Sequence, residues 1–255
     1  MEGTCVLTVA YDGTGYAGFA RQPEVQTVQG KLEEALRIVT REPVTTVCAG
    51  RTDAGVHALG QQVSFPVVEG FETESDLGRL KRSLDALTPD DIAIRGARFE
   101  RTGFSARFDA KEREYRYRIV AGSTPPVFMR RFAWWHKGPS LDIPAMRLAA
   151  DHLVGEHDFR SFCMAASAEG RTTWRYLDRV ELFEESHLGE DCLVVRVIGN
   201  AFLHNMVRII VGTLVEVGAG RREPSWVVEV LGARDRSAAG PTAPACGLTF
   251  WEVRY

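Results

Sequence analysis

Hydrophobic positions in the first hundred residues alternate between the period of a strand and that of a helix. The segment 4–11 is a mostly apolar run, whereas 28–40 places Leu32, Leu36 and Val39 on one stripe of a helix that Thr27 is suited to cap. Strands are predicted at 4–11, 44–49, 61–67 and 92–99, and helices at 28–40 and 75–87. This β-α-β-β-α-β order is that of a ferredoxin-like unit.

The second half repeats this order with one additional helix. Strands are predicted at 113–121, 173–184, 191–199 and 247–254, and helices at 142–154, 204–217 and 225–232. The halves share no matching sequence, so only the order of elements repeats. We therefore expect an α+β fold with two ferredoxin-like (βαββαβ) halves, residues 1–104 and 105–255. Their antiparallel sheets are expected to join and to leave a central cleft for an active site.

Composition excludes several classes of protein. Of the 255 residues, 45% are hydrophobic and 25% charged, which is ordinary for a globular chain and unlike a disordered one. No apolar run approaches the roughly 18 residues of a membrane span. No basic and then apolar leader is visible, so we expect a cytoplasmic protein. The five cysteines contain no CxxC pair, which argues against a disulfide framework or structural zinc.

Positive charge is concentrated in one segment, although the whole chain carries −3. Residues 95–131 hold ten basic and four acidic side chains, a net charge of +6, so the rest of the chain carries −9. A basic stripe of this kind suits binding to a phosphate backbone. The alternative is a coding bias toward Arg that places solvated charges on a surface, and composition alone leaves both open.

The segment 49–58, AGRTDAGVHA, combines reactive residue types in a loop between two predicted strands. Its two glycines allow a positive φ or a close backbone approach, and Arg51, Asp53 and His57 lie within seven positions. Loops held by a rigid sheet commonly carry reactive residues. The alternative is a plain β-turn in which the Asp53 side chain accepts a hydrogen bond from the following backbone.

The string GRTDAGVHA resembles the catalytic loop of the tRNA pseudouridine synthase A family. Other strings resembling that family follow in order: YDGTGYAGF at 11–19, TVQGKLEEAL at 27–36, FSARFDAKEREYRYRI at 104–119, GEHDFRSF at 155–162, GNAFLHNMVRIIVGTLVEVG at 199–218 and CGLTFWEVRY at 246–255. The resemblance covers about the whole chain. Departures at 18–21 (GFAR, where the family commonly has Gly-Trp-Gln) and 85–89 (DALTP, for Asn-x-Leu-Pro) concern RNA contacts rather than the reaction.

The resemblance implies an isomerase that converts uridine to pseudouridine at positions 38–40 of the tRNA anticodon stem-loop. It also implies a homodimer in which each tRNA spans both subunits. The reaction breaks the N1–C1′ bond, turns the base and joins C5 to C1′, with nothing oxidised or consumed. We therefore expect no cofactor and no metal, and the sequence has no P-loop or GxGxxG string.

The resemblance assigns the catalytic roles to Asp53, Tyr115 and Arg208. Asp53 is the carboxylate that engages the flipped-out uridine as nucleophile or base, and Arg208 pairs with it because an opposite charge keeps a buried carboxylate ionised. Tyr115 stacks on the extruded uracil, and its hydroxyl could carry the C5 proton. The residues alone also allow an Arg208 that extends to solvent and two core tyrosines at 115 and 117.

Substrate contacts follow from the same resemblance. Arg51 fills the space that the flipped base leaves or holds its phosphate, and Leu248 packs against the uracil. Independently of the resemblance, His57 is expected only to brace the loop. Contacts to the RNA backbone are expected from Arg107, Lys111, Arg113 and Arg116.

The residues present in the sequence argue against two other functions. A non-catalytic tRNA-binding or folding protein would not need Asp53, Tyr115 and Arg208 together. A phosphotransferase or hydrolase with an aspartate nucleophile would carry a DxDxT-like string or a second carboxylate cluster beside Asp53, and the sequence has neither.

Overall fold

A computed structural model describes residues 3–164 and 168–255 and divides them into two compact units. The first unit takes in the chain up to Lys111 together with Phe250–Tyr255, and the second is Glu112–Thr249. The domain ranges 1–104 and 105–255 stay a prediction, because contacts define compact units and not independent folding. Both units mix helices with mostly antiparallel strands, so the α+β class is confirmed.

The first unit contains an antiparallel sheet and two helices. Its elements are β1 (Thr4–Tyr11), α1 (Val28–Thr40), β2 (Val47–Cys48), β3 (His57–Pro66), α2 (Glu74–Leu87) and β4 (Ile92–Glu100). Strand β1 lies between β3 and β4, and β2 pairs with the other edge of β3. The predicted Thr27 cap is confirmed, since its hydroxyl accepts a hydrogen bond from Gly30 N at 3.2 Å.

Strand β2 is shorter than the strand predicted over 44–49. The buried Glu33 carboxylate of α1 accepts hydrogen bonds from the backbone N (2.9 Å) and the hydroxyl (3.0 Å) of Thr46. A helix side chain therefore takes the backbone amide that a longer strand would use. Strand β3 instead begins at His57, four residues earlier than the predicted start, which shortens the loop that carries Asp53.

The last strand, β10 (Leu248–Arg254), begins in the second unit and ends in the first. Its end is bound into the first unit by a hydrogen bond from Lys111 N to Arg254 O, at 2.8 Å. Its backbone also lies against Gly60, where an added Cβ would be 2.4 Å from Trp251 O. The first unit is therefore built from two distant stretches of the chain.

Among the residues that the structure describes, the second unit has five strands and three helices with defined bounds. Its strands are β5 (Glu112–Ala121), β6 (Trp134–His136), β7 (Gly155–Asp158), β8 (Trp174–His187) and β9 (Glu190–Gly199). Its helices are α3 (Ile143–Asp151), α4 (Met206–Gly218) and α5 (Trp226–Ala233). The order β5-β9-β8-β7 is antiparallel throughout, and the short β6 pairs parallel with β5. Within the described residues, no helix has the length and apolarity of a membrane span.

Helix α4 is nearly all buried and begins later than the predicted range 204–217. Asn205 precedes it with φ 61, a left-handed conformation that Asn tolerates better than most residues. Helix α4 approaches the loop before β10 so closely that a Cβ on Gly212 would be 1.7 Å from Pro241 O. The same loop also contacts the first turn of α4, since Ala243 N donates to Arg208 O at 3.1 Å.

Candidate active site

Asp53 lies at the first position of a tight turn between β2 and β3. The turn is closed by a hydrogen bond from Val56 N to Asp53 O (3.1 Å) and has Gly55 at its third position with φ 76. A positive φ at that position is what a type II turn requires. The segment therefore contains a tight turn that uses Gly55, and this turn holds Asp53 partly exposed.

The start of the loop is held by Gln61 of β3. Its fully buried side chain accepts a hydrogen bond from Gly50 N (3.3 Å) and donates one to Gly50 O (2.6 Å). The neighbouring Ala49 N donates to Gln62 O at 2.9 Å. Both backbone groups of Gly50 are thereby fixed just before Arg51.

The middle of the loop is held by the segment 11–19. Phe19 N donates to Thr52 O at 3.0 Å, and Gly55 N donates to Tyr16 O at 3.3 Å. The hydroxyls of Tyr11 and Thr52 are hydrogen-bonded at 2.7 Å. Burial raises the pKa of Tyr11 well above its usual range, so this hydroxyl stays protonated. The segment therefore fixes the backbone on both sides of Asp53.

His57 binds the end of the loop to the same segment. Its buried Nδ1 accepts a hydrogen bond from Gly13 N at 3.1 Å and lies 3.1 Å from Asp12 Oδ1. The hydrogen bond from Gly13 N braces the loop, which is the role expected of His57 from the sequence. Tyr11, Gly13 and Gln61 were not given roles there. The string YDGTGYAGF contained two of them, but only the fold reveals what they contact.

Gly13 offers a direct test of this bracing. A Cβ at this position would be 2.0 Å from Val56 O, so we expect Gly13→Ala to push the loop away. The expected cost is about 1–3 kcal/mol of stability, as for other overpacked sites. Thermal unfolding would measure this, and turnover should fall about tenfold or more, since small displacements of catalytic groups are expensive.

Gly15 provides the matched control in the same short turn. A Cβ there meets nothing within 4 Å, so Gly15→Ala should keep the melting temperature and turnover of the wild type. Equal behaviour of the two alanine variants would contradict the bracing role of the segment 11–19.

Tyr115 lies on β5 opposite Val197 of β9, and the residue is 8% exposed. The ring of Phe202 packs edge-to-face against it, with centroids 4.9 Å apart and planes at 76°. Phe202 thus orients the Tyr115 ring, a contact that strand periodicity does not reveal. Tyr117, two positions along, is a buried tyrosine whose hydroxyl donates to Pro244 O at 2.7 Å.

Arg208 is half-buried in the first turn of α4. Its Nε donates to Ala243 O at 2.7 Å, and its Nη1 donates to Asn205 Oδ1 at 2.8 Å. Ala243 N in turn donates to Arg208 O at 3.1 Å. The guanidinium is therefore held by two fixed acceptors of its own unit, while its pairing with Asp53 stays a prediction.

The charges of two arginines of the first unit act on Cys48 at the end of β2. Burial raises the pKa of the Cys48 thiol to about 11, and the positive charges of Arg51 and Arg107 oppose that rise. Both side chains are exposed. Arg107 follows Ala106, whose N donates to Ser64 Oγ of β3 at 3.0 Å, and that hydroxyl donates to Val47 O of β2 at 3.4 Å. The segment that carries Arg107 is therefore tied to the strand before the Asp53 loop, although it is more than fifty residues away in sequence. Leu248, by contrast, is buried at the start of β10.

The other basic candidates differ in exposure and in the acceptors they contact. Lys111 is exposed, and the half-buried Arg113 donates to Asn200 O at 2.5 Å. Arg116 Nε lies 2.8 Å from Glu114 Oε1, and Arg116 Nη1 lies 3.4 Å from Glu185 Oε1.

A network of ion pairs joins strands β5, β8 and β9 of the second unit. The side chain of Glu114 is 3% exposed, and its Oε2 lies 2.9 Å from Arg196 Nη2. Arg196 Nη1 lies 3.1 Å from Glu181 Oε2. Arg118 pairs with Glu185 at 3.3 Å. Part of the positive stripe seen in the sequence is thus neutralised within the fold.

In residues 3–164 and 168–255, no three His, Cys, Asp or Glu side chains are grouped as metal ligands.

Comparison with known proteins identifies the family. The family model described as tRNA pseudouridine synthase matches residues 7–109 and 149–255. The chain belongs to the tRNA pseudouridine synthase family. A relative from Brevibacillus brevis named tRNA pseudouridine synthase A is 46% identical over 252 residues, which are 98% of each chain. One of the same name from Bacillus subtilis is 42% identical and covers 97% of each chain.

Solved structures add no further argument. An archaeal box H/ACA sRNP Nop10–Cbf5 complex aligns with 84% of this chain and 44% of the other, at 13% identity and a TM-score of 0.36. A score that low supports no conclusion about fold or function. Membership of the tRNA pseudouridine synthase family therefore rests on sequence.

Proposed function

We propose that this member of the tRNA pseudouridine synthase family isomerises uridine to pseudouridine at positions 38–40 of the tRNA anticodon stem-loop. The observation that carries the proposal is the turn bearing Asp53, whose backbone is fixed from both sides in a chain of this family. A fixed carboxylate can meet a nucleoside without first being ordered, which lowers the barrier to attack. The family does not favour the alternative of a non-catalytic tRNA-binding protein.

In this proposal Asp53 is the nucleophile on a flipped-out uridine. The N1–C1′ bond breaks, the base turns, and C5 joins C1′ while C5 loses a proton and N1 gains one. The Asp53 carboxylate forms one bond to the substrate, and that bond breaks again before the product leaves, so the carboxylate is regenerated. Every atom of the substrate is retained in the product, so the chemistry itself calls for no cofactor.

Tyr115 and Arg208 complete the proposed catalytic set, and Leu248 packs against the uracil. The Tyr115 ring, oriented by Phe202, supplies a stacking surface for the base. Arg208, held by Asn205 and Ala243, supplies a fixed positive charge for Asp53. These supports favour the assigned roles because a preorganised group needs no rearrangement during the reaction.

RNA binding in this proposal uses Arg51 at the vacated base position and a set of basic side chains on the backbone. Arg107 and Lys111 are the exposed members of that set, and Arg113 lies at the start of β5. Arg116 forms ion pairs with Glu114 and Glu185. We expect the exposed pair to contribute most, because counterions are released from the RNA only where a cation can reach the phosphates.

The proposal extends to assembly. The first unit has the sheet order β4-β1-β3-β2 and the element order β-α-β-β-α-β, which support a ferredoxin-like half. We propose that both halves have this topology, that their sheets join around a central cleft, and that two copies form a homodimer with each tRNA spanning both. The reaction is placed in the cytoplasm, where tRNA is the substrate.

A direct assay tests the function. Purified protein is incubated with a tRNA transcript that carries uridine at positions 38–40, and pseudouridine is detected as carbodiimide-dependent stops in primer extension. We expect stops at these positions and none on a transcript with cytidine at all three. A uridine transcript that gives no stops, under conditions where the protein binds it, would refute the proposal.

A further inference from the structure

The loop between β4 and β5 presents one phenylalanine almost entirely to solvent. Phe108 is 80% exposed, whereas Phe104 and Ala106 of the same loop are buried. A single exposed apolar residue is ordinary. Phe108 differs from such a residue because the backbone on both sides of it is fixed. The proposed Asp53 chemistry gives this ring no role.

The loop is rigid, so Phe108 is not exposed through disorder. The Asp109 carboxylate accepts a hydrogen bond from Ser105 N at 2.7 Å, and Asp109 N donates to Ser105 O at 3.1 Å. Ala106 N donates to Ser64 Oγ of β3 at 3.0 Å, and Tyr255 donates its hydroxyl to Ala106 O at 3.0 Å. The residues on both sides of Phe108 are therefore fixed to the first unit.

The surroundings of Phe108 are positively charged. The Arg107 guanidinium lies 5.4 Å from the centroid of the Phe108 ring, and Lys111 is an exposed cation in the same stretch of chain. The Ser64 hydroxyl that accepts from Ala106 N also donates to Val47 O of β2 at 3.4 Å, so the segment before Arg107 is held beside the strand that leads to Arg51 and Asp53. An exposed ring beside exposed cations matches the pairing of base and phosphate in single-stranded nucleic acid.

We propose that Phe108 is a stacking platform for an unpaired RNA base next to the target uridine, with Arg107 on that nucleotide's phosphate. This inference rests on the proposed function and adds a positioning residue to it. A second copy of this chain fits the site less well, because a stable protein interface needs an apolar core of many residues. Here one ring is bordered by arginine and lysine.

Binding to a labelled RNA tests the proposal. An anticodon stem-loop RNA carries 2-aminopurine beside the target uridine, and its fluorescence is followed as intact protein is added. Phe108→Ala should raise the Kd about 5- to 150-fold, the range measured for single stacked bases, and abolish the fluorescence change. Phe108→Tyr should restore both, and Phe108→Leu, which keeps bulk without a π face, should not.

Replacing the neighbouring base with an abasic nucleotide separates stacking from a general loss of fold. The abasic RNA should weaken binding to the wild type but not further weaken binding to Phe108→Ala. Leu188→Ala is the matched control, since Leu188 is 79% exposed in the turn between β8 and β9, and its Kd should equal that of the wild type.

Other outcomes overturn the proposal in distinguishable ways. Unchanged Kd values for Phe108→Ala, with reduced self-association in sedimentation, would make Phe108 a contact between copies. Additive effects of the abasic site and the variant would exclude stacking on that base. The binding signal does not depend on turnover. A wild type that binds through Phe108 but forms no pseudouridine would therefore contradict the proposed function alone.

Discussion

Asp53→Asn is expected to abolish pseudouridine formation while leaving tRNA affinity near that of the wild type. The amide keeps the shape of the side chain but cannot act as a nucleophile, so turnover should fall on the order of 10⁴-fold or more. The backbone contacts that hold the turn use main-chain groups of residues 50–56 and are unaffected by the change. Primer-extension stops after carbodiimide treatment measure the product, and filter binding measures the affinity.

Asp90→Asn is the control for this experiment. Asp90 is exposed in the turn before β4 of the same unit, and its substitution should change neither product nor affinity. Product formed by Asp53→Asn at a rate within tenfold of the wild type would end the assignment of Asp53 as nucleophile. Circular dichroism of both variants checks that the fold is kept.

Glu114→Ala is expected to cause the largest loss of stability, about 3–5 kcal/mol. Glu114 is 3% exposed and pairs with Arg116 at 2.8 Å and Arg196 at 2.9 Å, so its removal leaves two partly buried cations with fewer partners. Urea unfolding measures the change. Glu181→Ala removes the other partner of Arg196, but Glu181 is 44% exposed, so we expect a loss of less than about 1 kcal/mol.

The same carboxylate predicts how stability depends on pH. Burial raises the pKa of Glu114, but hydrogen bonds and charges from Arg196 and Arg116 outweigh burial and hold it below the usual range. A lowered pKa means that the folded state releases this proton more readily than the unfolded state. The contribution of Glu114 is therefore complete above the unfolded pKa of about 4.3 and is lost as pH falls through the folded value.

Urea midpoints of the wild type and Glu114→Gln, compared from pH 7 to pH 3, test this dependence. The stability advantage of the wild type should be constant above about pH 5 and should shrink below about pH 4. An advantage that does not change with pH would show that Glu114 acts through packing alone. Equal losses of stability in the alanine variants of Glu114 and Glu181 would contradict the larger effect that we expect from the buried carboxylate.

Local patterns predicted the elements whose stability is local. The stripe of α1 and its Thr27 cap follow from residues that interact within a few positions, and both are found in the structure. The short β2 follows instead from Glu33, a helix residue that takes the Thr46 amide. The start of α4 depends on a left-handed Asn205. Contacts of this kind between distant residues cannot be seen in a hydrophobic pattern.

The site divides in the same way. Gly55 predicted the turn at Asp53 because the need for a positive φ is local. The clamps from Gln61 and Tyr11 depend on how β3 and the segment 11–19 meet the loop, which sequence spacing does not reveal. Charge counting found the basic stripe but not its partial neutralisation, since Glu185, which pairs with Arg116 and Arg118, comes from β8, far away in the chain.

The two-part construction of the first unit has a consequence for the order of folding during synthesis. Phe250–Tyr255 belong to that unit, yet the ribosome adds them only after the whole of Glu112–Thr249. The nascent chain up to Lys111 therefore lacks the partner of Lys111 N and the Tyr255 hydroxyl that holds Ala106. The second unit can close first, and the loop that carries Phe108 acquires its last restraint only when translation reaches Tyr255.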